Sequence, residues 1–285
     1  MSTPVTLKSM ANEASVTKVA VLGAGTMGGG IAALCLQSGF EVRLYDTFEE
    51  SLEKAKARCL KRTDETTVAN NLTASTDLPE VVGEADFVIE AVPERLELKQ
   101  SIFKQLGDLT PPHAVLATNT SELSVTAIAA ATLRPERVIG MHWFNPPERM
   151  ELIEIVRALQ TSDETLRLTE AVAARCGKTT VVVEDRQGFV TTRAVAALLL
   201  EGIRMLEEGV AEPRDIDTAV KLGLNHPMGP LELADYIGLD TPLLIADSMT
   251  EALGERFRAP QTLRKLVEAG RLGRKTGQGF YDYRD

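Results

Sequence analysis

The sequence predicts a doubly wound, mostly parallel α/β sheet followed by an all-helical segment. Three observations carry that expectation. Short apolar, β-branched runs alternate with segments of helical spacing as far as residue 183, which is the pattern of repeated βαβ units. A glycine-rich turn separates the first strand-like run from the first helical one. Beyond Glu184–Gly188 the strand-like runs stop and helical spacing takes over.

In order along the chain, Lys18–Leu22 reads as an apolar strand, Met27–Ser38 as a helix, and Glu41–Tyr45 as a strand ending at Asp46. Ser51–Arg62 has helical spacing. Asp86–Ala91 reads as a strand, Leu96–Leu106 as a helix and Ala114–Thr118 as a strand. A helix near Val125–Ala130 precedes two strands, Arg137–His142 and Glu151–Val156. A helix near Glu164–Cys176 and the strand Thr179–Val183 complete the alternating half. The helical half reads as Val190–Glu208, Pro213–Leu222, Pro230–Ile237, Thr241–Leu253 and Pro260–Ala269. Pro213, Pro230 and Pro260 stand where helices begin, as proline does in a first turn. The expected organisation is a loose leader over 1–17, a nucleotide-binding domain over 18–187 and a helical domain over 188–285.

Length and composition narrow the class. The 285 residues allow about two domains of ~150 residues. Hydrophobic residues make up 44% and charged residues 25%, ordinary globular usage that argues against a disordered or fibrous chain. The longest apolar run, Ala194–Leu200, falls far short of the ~20 residues a membrane span needs, and the first 17 residues lack the apolar core of a secretory signal. A net charge of −10 argues against nucleic acid as partner. Three widely spaced cysteines, Cys35, Cys59 and Cys176, suggest neither disulfide framework nor metal site. Cys35 and Cys59 read as buried filler, and the expected compartment is the cytoplasm.

The turn reads Gly23-Ala-Gly25-Thr26-Met27-Gly28 between strand and helix. In that position the pattern points to a Rossmann-like dinucleotide site. Gly23 allows the tight turn, Gly25 lets the backbone approach a pyrophosphate, and Gly28 lets the helix pack on the strand. Asp46 closes the second strand, where a carboxylate accepts from both ribose hydroxyls and repels a 2′-phosphate. NAD is therefore the expected cofactor, rather than NADP.

Of three histidines, His142 ends a strand and is followed by Trp143-Phe-Asn-Pro-Pro. Ligands of open α/β sheets lie beyond the carboxyl ends of strands. An imidazole there can take a hydroxyl proton while hydride leaves for a nicotinamide. Glu154 is a lone acid in Leu152-Ile-Glu-Ile-Val, where an unpaired charge is costly, and is the candidate partner. On position alone, a satisfied structural histidine is an equal reading. His113 and His226 read as surface and loop residues.

Beyond these, Gly23–Ala32, Ile89-Glu-Ala-Val, Asn119-Thr-Ser-Glu-Leu-Ser, Gly140-Met-His-Trp-Phe-Asn-Pro-Pro, Leu152-Ile-Glu-Ile-Val, Asp217-Thr-Ala-Val-Lys-Leu-Gly, the stretch from Pro227 to Asp240, and Gly273-Arg-Lys-Thr-Gly-Gln-Gly-Phe-Tyr resemble the 3-hydroxyacyl-CoA dehydrogenase family. The short bacterial 3-hydroxybutyryl-CoA dehydrogenases are nearest in length, and the resemblance runs in register from about residue 17 to the end. It implies NAD-linked interconversion of (S)-3-hydroxyacyl-CoA and 3-ketoacyl-CoA, chemistry shared by fatty-acid breakdown and other pathways, and a helical domain that binds substrate and forms a homodimer. It implies His142 as catalytic base, Glu154 as the acid orienting it, and Ser121 as a contact to substrate hydroxyl and nicotinamide. Asp46, Glu94, Lys99, Asn145 and Lys275 match NAD contacts.

Two departures from the family stand out. Thr192, in Gly188-Phe-Val-Thr-Thr-Arg, occupies the place of an active-site asparagine and offers one shorter donor. The long helical hairpin that grips CoA looks cut down to the single helix Ser51–Arg62, whose Lys54, Arg58 and Lys61 recur at i, i+4 and i+7 beside Arg62. These four bases are either a solvated face or a shortened phosphate clamp. The departures leave two alternatives to acyl-CoA chemistry: an NAD-dependent dehydrogenase of a non-CoA hydroxy acid, or an NAD-binding homologue with little activity.

Overall fold

The computed structural model describes residues 16–284, so most of the leader expected over 1–17 lies outside the described residues. These residues divide into two compact units. One runs to Thr120 and resumes over Val125–Val183; the other joins Ser121–Ser124 to the chain from Glu184 onward. Ser121–Ser124, expected with the first domain, thus counts with the second.

The first unit holds eight strands and seven helices in the order β1 Lys18–Leu22, α1 Thr26–Gln37, β2 Glu41–Tyr45, α2 Glu49–Leu60, α3 Glu65–Asn71, β3 Leu72–Ser75, α4 Leu78–Val82, β4 Phe87–Glu90, α5 Leu96–Leu109, β5 Val115–Thr118, α6 Val125–Ala129, β6 Val138–Trp143, β7 Leu152–Arg157, α7 Asp163–Arg175 and β8 Thr179–Glu184. The sheet order is β3-β2-β1-β4-β5-β6-β7-β8. The first six strands run parallel, and β7 lies antiparallel to β6. β4, β5 and β6 are buried along their whole length. Helices cover both faces of a parallel sheet, so its central strands need continuous apolar runs rather than alternation. The order reverses between β1 and β4, which makes the carboxyl ends of those strands the crevice for ligands.

Three glycines in a row open α1, and each meets a different neighbour. A Cβ on Gly28 would stand 1.7 Å from the Gly23 carbonyl oxygen, one on Gly29 3.2 Å from Ala55 Cβ of α2, and one on Gly30 2.6 Å from Pro147 Cγ. At Gly28 and Gly30 other chain approaches α1 too closely for a side chain, and at Gly29 the fit would be tight.

The region after Asp46 corrects one expectation. It holds two helices, α2 and α3, rather than one. Asp64 starts the second, accepting from the backbone N–H of Thr67 at 2.8 Å and from its hydroxyl at 2.6 Å, an N-cap that the run Asp64-Glu-Thr-Thr spells out. The two helices pack on each other, so the segment is a helical pair. Cys35, Cys59 and Cys176 are all free and buried. Burial pushes the Cys59 thiol up to about 11, so it is an inert apolar filler.

The second unit contains α8 Thr191–Glu207, α9 Pro213–Gly223, α10 Pro230–Ile237, α11 Asp240–Leu253 and α12 Gln261–Glu268 around a core that includes Leu199, Ile203, Leu231, Met249 and Leu263. Two buried carboxylates hold its C-terminal tail. Asp217 accepts from the backbone of Leu231 and Glu232 at the start of α10 and from the Tyr281 hydroxyl at 2.6 Å. Asp235 accepts from the backbone of Phe280 and Tyr281 and from the Tyr283 hydroxyl, and burial raises its carboxyl above the ordinary range. No helix among the described residues is long and apolar enough to cross a membrane, and no cluster of side chains among them is fit to hold a metal ion.

Candidate active site

The dinucleotide loop lies between β1 and α1. Gly23 sits at φ 94°, and a Cβ there would stand 2.7 Å from the Ala91 carbonyl, just past β4. The two strand ends meet at this point because one of them ends in glycine. Gly25 differs: nothing lies within 4 Å of where its Cβ would be. Packing does not require glycine at 25, and the open space suits a ligand that comes up against the backbone. As N-cap of α1, Gly25 also leaves the first turn without a side-chain cap, so backbone N–H groups of Thr26, Met27 and Gly28 are placed to receive phosphate oxygens. The residues present therefore fit a dinucleotide.

Asp46, half-buried at the end of β2, pins the same loop. Its Oδ2 accepts from the Ala24 N–H at 2.7 Å and its Oδ1 from the Phe48 N–H at 3.0 Å. Each oxygen keeps a second acceptor position for a ribose hydroxyl.

His142 and Glu154 face each other in the antiparallel register of β6 and β7. The eleven residues between them are a strand end, a return loop and a strand start, and the direct cross-strand pairing puts both side chains on the same face of the sheet. His142 Nδ1 lies 2.8 Å from Glu154 Oε2; the carboxylate side chain is fully buried and the ring nearly so. The Phe144 ring packs on the imidazole at 4.5 Å between centroids. A buried carboxylate at Nδ1 fixes the tautomer and orientation of the ring, leaving Nε2 as the nitrogen for proton exchange.

The strand ends next to His142 carry a second polar cluster. Glu90, the last residue of β4, and Lys99, in the second turn of α5, are both fully buried and ion-paired at 2.7 Å. Lys99 also stands 3.4 Å from Glu94 and 3.3 Å from the Asn119 carbonyl. The Thr120 hydroxyl donates to Glu94 at 2.5 Å. Asn119 Oδ1 accepts from the Trp143 backbone at 3.1 Å, tying the loop after β5 to the end of β6. Lys99 is thus a buried cation, paired with Glu90 and lying close to Glu94. Glu94 is partly exposed, and Asn145 is exposed in the loop after β6.

Two expected site residues belong to the helical unit and one to the segment that counts with it. Ser121 is exposed in the loop after β5. Thr192 is the second residue of α8 and buried. Lys275 is exposed and pairs with Asp240.

The four bases Lys54, Arg58, Lys61 and Arg62 do not all lie on one helix. α2 ends at Leu60, so Lys61 caps it and Arg62 lies beyond it. Lys54 pairs with Glu50 one turn earlier. Arg58 donates to the Thr26 carbonyl at 2.6 Å, and Arg62 pairs with Glu148 at 2.6 Å. Two of the four guanidinium and ammonium groups thus bind the protein near α1 and the loop after His142. Lys178 holds that same loop from the other side, donating to the Pro147 and Met150 carbonyls at 2.7 Å. Glu90, Asn119, Glu148 and Lys178 were not anticipated. Glu90 carried the signal that singled out Glu154, a lone acid in an apolar strand; the other three carry none that a sequence displays.

Two family models match the chain. One described as "3-hydroxyacyl-CoA dehydrogenase, NAD binding domain" matches residues 18–186, and another described as "3-hydroxyacyl-CoA dehydrogenase, C-terminal domain" matches residues 188–283. A probable 3-hydroxybutyryl-CoA dehydrogenase of Deinococcus radiodurans is 45% identical over 93% of this chain and 100% of its own length. The mitochondrial hydroxyacyl-coenzyme A dehydrogenase of Homo sapiens is 38% identical, over 100% of this chain and 96% of its own. The solved structure of (S)-3-hydroxybutyryl-CoA dehydrogenase from Ralstonia eutropha superimposes with a TM-score of 0.91 at 38% identity, covering 95% of this chain and 100% of that one.

Proposed function

The chain belongs to the 3-hydroxyacyl-CoA dehydrogenase family, and on that premise we propose that His142 and Glu154 are the acid/base pair of an NAD-dependent interconversion of (S)-3-hydroxyacyl-CoA and 3-ketoacyl-CoA. The observation that carries this reading is the buried 2.8 Å contact between the two side chains at the carboxyl end of β6.

NAD supplies the hydride acceptor, and in its reduced form the donor. The protein moves the proton. Glu154 keeps a proton on Nδ1, so Nε2 would take the proton from the hydroxyl oxygen as hydride leaves the carbon that bears it and the C=O bond forms. The imidazolium that forms is stabilised by a carboxylate that water does not reach. In the reverse direction Nε2–H returns the proton to the ketone oxygen. Ser121 contacts substrate hydroxyl and cofactor, and Thr192 donates to the developing oxygen in place of an amide. The Gly23–Gly28 loop holds the pyrophosphate. Asp46 would take the ribose hydroxyls, and Glu94, Lys99, Asn145 and Lys275 would make further cofactor contacts.

A mixture of acetoacetyl-CoA and NADH, followed by loss of NADH absorbance, tests the assignment. Turnover is expected, slower by about two orders of magnitude with NADPH, because Asp46 repels the 2′-phosphate. Turnover of free acetoacetate but not of its CoA thioester would overturn the acyl-CoA substrate. NADH binding with no turnover of either would overturn the enzyme reading.

Thr192→Val keeps the shape and removes only the hydroxyl. Losing a neutral bond lowers the rate about fivefold, and losing one aimed at developing charge about a hundredfold or more. A fall within these limits is expected, mainly in kcat; wild-type turnover would reduce Thr192 to a helix-start residue.

The helical unit exposes Val210, Leu222, Leu224, Tyr236 and Leu244, apolar surface that a second copy would cover. A homodimer through this unit is proposed. Light scattering should return twice the 30.9 kDa chain mass; a monomer mass in dilute solution would count against it.

A further inference from the structure

Glu90 carries no part of the mechanism above, yet its carboxylate accepts four hydrogen bonds beside it. Its carboxylate is fully buried. Oε1 accepts from the Val92 backbone N–H and from Lys99, both at 2.7 Å. Oε2 accepts from the Thr118 hydroxyl at 2.6 Å and from Lys99 at 3.0 Å. Burial raises the Glu90 carboxyl above its ordinary range, against the pull of the Lys99 ammonium.

The bonds of Lys99 are unequal. It is close to Glu90, whereas Glu94 and the Asn119 carbonyl stand off at 3.4 and 3.3 Å. Two carboxylates therefore compete for one buried ammonium, and Glu90 holds it. Without the Glu90 charge, Glu94 is the carboxylate left beside Lys99. Coulomb attraction in a dry site would then draw Glu94 down from the partly exposed position it now holds. Thr120, bonded to Glu94, would follow, and Ser121 is the next residue. A pair needed only for stability is replaceable by apolar side chains at little cost; this one sits where three strand ends converge.

We propose that Glu90 is a positioning residue for cofactor binding: by keeping Lys99, it leaves the Glu94 carboxylate directed outward to the cofactor and holds the Asn119–Ser121 turn in place. The proposal rests on the reading of Glu94 as a cofactor contact.

NADH titration of the full-length protein, with steady-state kinetics on acetoacetyl-CoA, tests it. Glu90→Gln keeps the size and removes the charge. The expected result is a Kd and KM for NADH raised about ten- to thirtyfold, with kcat at saturating NADH within about threefold of wild type, since each tenfold is ~1.4 kcal/mol of binding. A merely structural role would not produce that split. Thr161→Val is the comparison: Thr161 is buried at the far end of β6, bonded to the Val138 carbonyl and the Ala158 N–H, so its loss lowers stability without touching the cluster. Equal weakening of NADH binding in both variants overturns the proposal, as does unchanged binding in Glu90→Gln. If Glu90→Gln does not fold, Glu90→Gln combined with Lys99→Met removes both charges together. Lys99 then no longer draws Glu94 inward, so NADH affinity should lie within about threefold of wild type; NADH binding weakened about tenfold or more in the double variant overturns the proposal. Glu94→Gln separates the two levels. If it weakens NADH binding while Glu90→Gln does not, only the positioning role falls; if it binds NADH as wild type does, the cofactor role of Glu94 falls and the proposal with it.

Discussion

Replacing His142 with glutamine should lower turnover of acetoacetyl-CoA by about 10³-fold while NADH binding stays within about twofold. A positioned acid/base group contributes roughly 10²–10⁴ in rate, and glutamine has no proton to exchange at the position of Nε2. The cofactor loop does not depend on the imidazole: the Gly23 N–H donates to the Tyr45 carbonyl, the Ala24 N–H donates to Asp46, and the Gly25 carbonyl accepts from Gly29. Glu154→Gln should cost about 10²-fold. The base is still present, but an amide holds its tautomer less firmly and brings no charge to stabilise the imidazolium. Because Glu154 is fully buried, part of the loss in that variant will appear as lowered stability, so the ratio of kcat to folded protein, measured alongside thermal unfolding, is the informative quantity. Near-wild-type kcat in His142→Gln would remove the histidine from the mechanism.

Alanine at Gly28 and at Gly25 should produce opposite failures. At Gly28 the new Cβ would stand 1.7 Å from the Gly23 carbonyl oxygen, a backbone atom with no room to withdraw. The loop or the helix must shift, at a cost of ~3 kcal/mol, typical of overpacking, and both unfolding temperature and NADH affinity should fall. At Gly25 the Cβ meets nothing within 4 Å, and φ of −66° is one any residue adopts. Gly25→Ala should leave stability within ~0.5 kcal/mol. Its methyl would nevertheless stand in the space through which a pyrophosphate reaches the backbone, so NADH affinity should fall at least about tenfold. Thermal unfolding and NADH titration on both variants separate packing from binding. Unchanged affinity in Gly25→Ala would mean that the open space in front of this loop is not where the cofactor sits.

Much of this architecture is legible in the chain itself. The parallel sheet is announced by continuous apolar runs such as Val19–Leu22 and Phe87–Ile89, because strands buried on both faces have no polar side. The dinucleotide loop is announced by glycine spacing, since turn, ligand approach and helix packing each forbid a side chain at a set interval. The start of the helical half is announced by prolines in first turns. Glu154 is announced by its charge in an apolar strand, which demands a partner.

What the chain does not display is which groups satisfy one another across long separations. Glu90 and Glu154 give the same local signal. Only the strand register sets Glu154 opposite His142, and only the packing of α5 on the sheet brings Lys99 to Glu90. Arg58 and Arg62 look like a solvent-facing stripe because helical spacing is local, whereas the Thr26 carbonyl and Glu148 that bind them come from chain far away in sequence. Nothing along the helix marks Lys99 as buried; it is buried because two carboxylates make the burial of its charge tolerable. The sequence by itself determined the layers, the loop and the residue types of the site, since these follow from periodicity and local sterics. Tertiary structure decided the charge pairs, because a buried charge is stabilised by whichever opposite charge the fold carries to it, and that distance is not written along the chain.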